Sequence, residues 1–256
     1  MIKPDLHIEL WDAFNDIMFD EPTHKYTDSK GTIYNSATGW IKQFEPDTDW
    51  DEIKRNKAKK YGIPLEVLTE EWNRKGDYAT HLGTQCHSIM ELIWQKKNYN
   101  FDESLNEKFS EMKADFEWRK ENVCIPLFNK MKKIYVPIAN EFIVYDQPNA
   151  LCGTIDMLAY NKQKDFYSII DWKTSKKFET DNRFEKYMKA PFEHVKYCNT
   201  AEYSLQLSLY AYILEKYTSI KIGEMILFQL PNKEIMCPQI FKCLDFRQNI
   251  ADLLKK

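Results

Sequence analysis

An α/β (α+β) fold, with a central mixed β-sheet flanked by helices and a helical N-terminal arm, is predicted by three observations. Apolar residues in the first half recur at helical spacing. From residue 133 the texture changes to β-branched and aromatic runs separated by polar turns. After these runs helix and strand alternate to the end of the chain. The expected organisation is one compact unit, with an arm over residues 1–130 and a core over 131–256.

Leu6, Leu10, Phe14 and Ile17 share one face of a predicted helix over 5–19. A hairpin over 24–34 turns at Asp28-Ser-Lys-Gly31, and Ser36 caps a helix to about Phe44. A basic helix over 49–61, stopped by Gly62, carries Lys54, Arg55, Lys57, Lys59 and Lys60. Helices are expected over 64–74, 77–95 and 103–120. Strands over 133–145, 150–160 and 165–173 form a meander. Helices over 182–189 and 200–217, strands over 221–230 and 234–242, and a terminal helix complete the chain.

Composition narrows the function. With 43% hydrophobic and 14% aromatic residues and a net charge of −3, the chain has a core to bury and is not disordered. No apolar run is long enough for a membrane helix, and Met1 to Leu10 has no signal-peptide core. Six scattered cysteines read as reduced thiols of a cytoplasmic protein. The seven glycines form neither a dinucleotide fingerprint nor a phosphate-binding loop, which excludes a nucleotide-driven motor.

Polar residues inside apolar strands are the next signal. In Ile169-Ile-Asp171-Trp-Lys173, Asp171 and Lys173 share one face while Ile170 and Trp172 take the other. If the loop centres on Gln163-Lys164, Asp156 sits directly opposite Asp171, and a turn at Pro148-Asn149 would set Glu141 opposite Asp156; neither loop has the Asn-Gly signature that pins a two-residue turn. Opposed carboxylates repel by roughly 0.2–1 kcal/mol, a penalty that a divalent cation such as Mg²⁺ reverses. Glu141 is equally readable as a strand-edge residue facing water. On helices, His87 and Glu91 pair at i, i+4, as do Gln206 and Tyr210.

Taken in order, Gly83-Thr84-x-x-His87, Gly153-Thr-x-Asp156, Asp171-x-Lys173-Thr174-Ser175 and Gln206-x-x-x-Tyr210 resemble the RecB-type branch of the PD-(D/E)XK nuclease superfamily. Phage exonucleases and the mitochondrial genome-maintenance exonuclease belong to that branch. The strings His24-Lys-Tyr, Ser36-Ala-Thr and Ala79-Thr-His-Leu-Gly-Thr84 also look like phage-encoded members. The resemblance implies a restriction-endonuclease-like core and a DNA exonuclease of replication, recombination or repair, using one or two Mg²⁺ or Mn²⁺ ions in the host cytoplasm. Asp156, Asp171 and the Trp172 carbonyl would be metal ligands, with His87 a further one from the arm. Lys173 would orient or deprotonate the attacking water, and Glu91 or Glu141 would support the ligands. Gln206 and Tyr210 would steady the site, while Thr84, Thr174, Ser175, Lys176 and Lys177 would touch DNA. Ile155 stands where the family name has proline.

Other readings remain at this stage. An iron–sulfur version lacks the clustered cysteines, since Cys237 and Cys243 have no nearby C-x-x-C. His194 and Cys198 have no second pair with zinc-site spacing. A non-catalytic DNA-binding module and a sequence-specific endonuclease use the same core. Trp40, Phe44, Trp50, Tyr61, Trp72, Phe178, Phe184 and Tyr187 lie near basic residues and are either core or base-stacking side chains.

Overall fold

A computed structural model describes residues 2–3, 5–20, 23, 25–235 and 237–255; His24, where the predicted hairpin begins, lies outside them. The elements run α1 (Leu6–Ala13), β1 (Ile17–Asp20), β2 (Lys25–Asp28), β3 (Ile33–Ser36), α2 (Ala37–Ile41), α3 (Trp50–Tyr61) and α4 (Leu65–Trp94). They continue with α5 (Leu105–Lys108), α6 (Met112–Arg119), α7 (Ile125–Met131), β4 (Tyr135–Asp146), β5 (Leu151–Asn161) and β6 (Phe166–Lys173). Last come α8 (Asn199–Tyr217), β7 (Ile222–Gln229), β8 (Ile240–Lys242) and α9 (Arg247–Leu254).

Local chemistry sets several boundaries. Ser36 Oγ accepts the Gly39 N–H at 3.1 Å, which caps α2. Asp49 caps α3 through the Glu52 N–H, and Gly62 ends it at φ 66°, a left-handed conformation that glycine adopts without strain because it has no Cβ.

Five expectations change. The first helix ends at Ala13, because Ile17–Asp20 pairs with β2 and the Phe19 and Tyr26 rings meet at 4.5 Å. The helices over 64–74 and 77–95 are one 30-residue helix: Gly76 has open space around it and no proline follows to break the turn. The helix over 182–189 is absent. Asn182 instead folds its side chain onto the Phe184 N–H and the Tyr197 carbonyl, and Glu185 takes φ 52°. The helix over 103–120 is interrupted near Phe109, and the last strand shortens to Ile240–Lys242.

The strands form one eight-stranded mixed sheet in the order β1-β2-β3-β5-β6-β7-β8, with β4 paired to β5. Leu151 and Cys152 pair with β3 and β4 at once, so these two flank opposite edges of β5. The edge opposite β4 therefore carries β3 at Leu151–Cys152 and β6 from Met157 onward. Between them the sheet forks, leaving Gly153 to Asp156 unpaired on that side.

Two cores cover the faces. The β6–α8–β7 crossover lays α8 on one face, where Leu205, Leu209 and Ile213 pack with Ile169 and Leu227. Ile170, Trp172, Ile226 and Phe228 point the other way, onto Cys86, Ile89 and Met90 of α4 and Met112 and Phe116 of α6. All six cysteines are free. No helix among the described residues is long and apolar enough to cross a membrane.

Candidate active site and metal centre

The fork in the sheet positions the acids. The last antiparallel rung between β5 and β6 is Met157↔Ile170, so one further step brings Asp156 opposite Asp171. Asp156 Oδ2 accepts the Trp172 N–H at 2.8 Å, which closes the fork at that point. On the other edge the rungs Asn140↔Met157 and Phe142↔Ile155 bracket Glu141, which faces Asp156. Both registers follow the loop centres read from the sequence. Glu141 adopts φ 46°, a left-handed conformation costing a non-glycine residue on the order of 1–3 kcal/mol. Such cost persists where the surrounding pairing over-determines it, here beside the buried acids.

His87 comes from α4, which crosses the end of β6. A Cβ on Gly83 would lie 3.6 Å from Thr174 Oγ1, so the helix passes close to the residue after Lys173. His87 Nδ1 lies 3.3 Å from Asp156 Oδ2 and 4.0 Å from Glu141 Oε1. One donor atom each from His87, Glu141 and Asp156 falls within 4.8 Å of the others. Among the described residues Glu141 Oε1 is buried with no hydrogen bond. A buried acceptor without a partner, aimed at an imidazole and a carboxylate, fits a cation that the three would share. A cavity of about 410 Å³ opens onto this group and is lined by Thr80, Gly83, Thr84, Glu91 and Ser88 as well.

Asp171 stands beside this trio rather than within it. Its Oδ2 lies 2.7 Å from Lys173 Nζ, and the ammonium sits 4.7 Å above the Tyr203 ring. Burial pushes the Asp171 carboxyl up to about 6 against the pull of Lys173. Burial also raises Glu141, to about 8, with the Asp156 charge adding to it. For His87 burial opposes the charge, but the Asp156 carboxylate prevails and lifts the imidazole to about 9. Burial likewise works against ionised Asp156, yet His87, Lys173 and the Trp172 N–H hold its carboxyl below the usual range. Lys173 is raised despite burial, because Asp171 and Asp156 favour its charge.

The floor of the fork is α8. Gln206 Nε2 donates to the Tyr210 hydroxyl at 2.9 Å, and Tyr210 is 3% exposed. A Cβ on Gly153 would meet Tyr210 Cε1 at 2.3 Å, which explains why glycine occupies that strand position. Tyr203, missed from the sequence, lies on the same helix at i, i+3, i+7 with Gln206 and Tyr210; that spacing was its available signal. Tyr26, from the N-terminal hairpin, shares a 3.1 Å hydrogen bond with Thr154 Oγ1 at the unpaired edge of β5.

The remaining expected residues spread out. Trp172 reaches the site through its N–H, and Thr84 lines the cavity. Ser175 offers its carbonyl to Gln229 Nε2 at 2.8 Å, while Lys176 is exposed 3.7 Å from Glu234. Lys177 lines a different cavity. Of the aromatics, Trp40, Phe44 and Phe178 are core, whereas Trp50, Tyr61, Phe184 and Tyr187 are exposed. Lys57 sits 4.8 Å over the Trp72 ring.

The model of a family described as the PD-(D/E)XK nuclease superfamily matches residues 65–253, more than half of the chain. The match begins at the start of α4 and includes His87, Glu141, Asp156, Asp171 and Lys173. No curated protein matches the chain.

Proposed function

Because this chain belongs to the PD-(D/E)XK nuclease superfamily, we propose that it is a Mg²⁺- or Mn²⁺-dependent DNA exonuclease of the RecB-type branch, acting in phage-type replication, recombination or repair. One observation carries the proposal: His87, Glu141 and Asp156 bring three donor atoms within 4.8 Å, beside the ion pair of half-buried Lys173 with buried Asp171. Two carboxylates suit Mg²⁺, and the imidazole makes Mn²⁺ equally at home. A divalent cation held there would supply an activated water and positive charge at the scissile phosphate.

The protein's own groups do the rest. Lys173, charged and anchored on Asp171, orients the attacking water and offsets charge on a phosphate oxygen. The Trp172 N–H fixes the Asp156 carboxylate, so the ligand and the lysine move as one strand end. Tyr210, buttressed by Gln206, keeps the floor rigid beneath the acids. Thr84, Thr174, Ser175 and Lys176 would meet the strand as it leaves.

Action at ends is supported by the arm. Among the described residues α3 buries only Ala58, leaving Arg55, Lys57, Lys59 and Lys60 exposed next to α4, the helix that carries His87. Linear single and double strands labelled at the 5′ or 3′ terminus, digested with Mg²⁺ or Mn²⁺, should shorten from an end. Covalently closed single-stranded circles should resist. Circles cut as fast as linear strands, or no hydrolysis with either ion, would refute the proposal.

A further inference from the structure

A second cavity, of about 870 Å³, lies between the start of α3 and the segment that follows the active-site strand. Its rim carries Trp50 and Phe184, which are 59% and 69% exposed, and its floor Tyr197 and Glu202. The Arg183 guanidinium stacks 4.7 Å from the Phe184 ring. The segment has little regular structure, yet its backbone is pinned. Asn182 Nδ2 donates to the Tyr197 carbonyl at 2.8 Å, and Asn199 Nδ2 donates to the Lys177 carbonyl at 2.9 Å. Lys186 and Lys189 tie it to the approach to α3, through Thr48 Oγ1 at 2.9 Å and Asp47 Oδ1 at 2.6 Å. Two large aromatic rings are thus held open to solvent on a fixed frame.

We propose that this cavity receives an unpaired nucleobase of the DNA strand being cut, stacked on Trp50 and Phe184. The proposal rests on the nuclease function above and adds a place for the strand outside the reacting centre. Charge argues for a base rather than a phosphate. Lys177 and Arg183 share the exposed rim with Glu179 and Asp181, whereas the floor offers the Glu202 carboxyl, hydrogen-bonded with Tyr197 and Glu45. Three carboxyls against two cations make the lining a poor host for phosphate, while carboxyl oxygens accept from the amino edges of bases. Reach argues for the same strand. Lys177 follows Lys173 by four residues, at most about 14 Å of chain. Stacked nucleotides advance about 3.4 Å each, so the Lys177 edge of the cavity lies within about four nucleotides of Lys173, with Trp50 and Phe184 farther along its rim. A strand leaving the lysine along Thr174 to Lys177 arrives at Trp50 and Phe184.

The test uses single-stranded oligonucleotides carrying one 2-aminopurine at successive positions from the end, with full-length protein and Ca²⁺ in place of Mg²⁺. Stacking quenches this base, so quenching should peak at one position a few nucleotides from the scissile bond. Trp50→Ala and Phe184→Ala, both at exposed positions, should abolish the peak and weaken binding roughly tenfold, the change that one base–aromatic stack carries. An abasic nucleotide at the peak position should weaken wild-type binding equally and leave the variants unaffected. No position-dependent quenching, or variants that bind as wild type does, would overturn the proposal. Digestion of the same oligonucleotides with Mg²⁺ separates the two ideas. Hydrolysis without a quenching peak removes the base site alone; a peak without hydrolysis removes the nuclease proposal and leaves a strand-binding site.

Discussion

Gly153→Ala is a one-carbon change whose consequence follows from the fork in the sheet. The new Cβ would lie 2.3 Å from Tyr210 Cε1, 2.6 Å from its hydroxyl and 2.7 Å from Cζ. Those atoms belong to a rigid ring that is 3% exposed, on a helix packed along its length, so the ring has no free direction of escape. Overpacking of this kind costs about 1–3 kcal/mol. For a chain of this size each kcal/mol moves the midpoint by about 2–4 °C, so a drop of about 2–12 °C is expected in thermal unfolding. The displaced ring also loses its bond from Gln206, and hydrolysis should slow. Tyr210→Leu placed on the Gly153→Ala background removes the clashing ring atoms and should return stability, with a coupling of at least about 1 kcal/mol in a double-mutant cycle by urea unfolding. It should not return activity. Wild-type stability for Gly153→Ala, or purely additive effects in the cycle, would refute the steric account.

Lys173→Ala should lower single-turnover hydrolysis by about 10²–10⁴-fold while Mn²⁺ affinity is not weakened, because Lys173 is outside the donor trio. Loss of metal binding in parallel with rate would contradict the assigned role. Glu202 gives a pH signature. Burial, followed by the Glu45 charge, raises its folded-state value to about 7 from 4.5, so the native state holds a proton that the unfolded chain releases. Stability from this group is full below about pH 4.5 and declines as pH rises through about 7. Glu202→Gln should flatten the Tm profile between those values and raise Tm at pH 8; an unchanged profile would exclude Glu202 as its source.

The parts of the fold set by local rules were readable from the sequence. Loop centres at Gln163-Lys164 and Pro148-Asn149 give both registers around Asp156, although neither loop carries the Asn-Gly signature that pins a turn. The alternation Ile170-Asp171-Trp172-Lys173 put charge and core on opposite faces, and His87 and Gln206 were found through helical spacing. The unreadable parts depend on tertiary contact. Nothing local makes Glu141 left-handed or groups it, in place of Asp171, with His87 and Asp156. The helices expected over 64–74 and 77–95 leave a gap that the long helix does not have. The 174–198 segment looked helical in part, but its side chains satisfy the backbone instead, and it carries the second cavity.

The most direct measurement is an anomalous-difference map from crystals soaked in Mn²⁺. The account predicts a peak about 2.0–2.3 Å from the carboxylate oxygens of Glu141 and Asp156 and from a ring nitrogen of His87. That peak should be lost in His87→Ala crystals grown and soaked alike. Mn²⁺ bound elsewhere, or no peak in a wild-type crystal soaked at millimolar Mn²⁺, would contradict it.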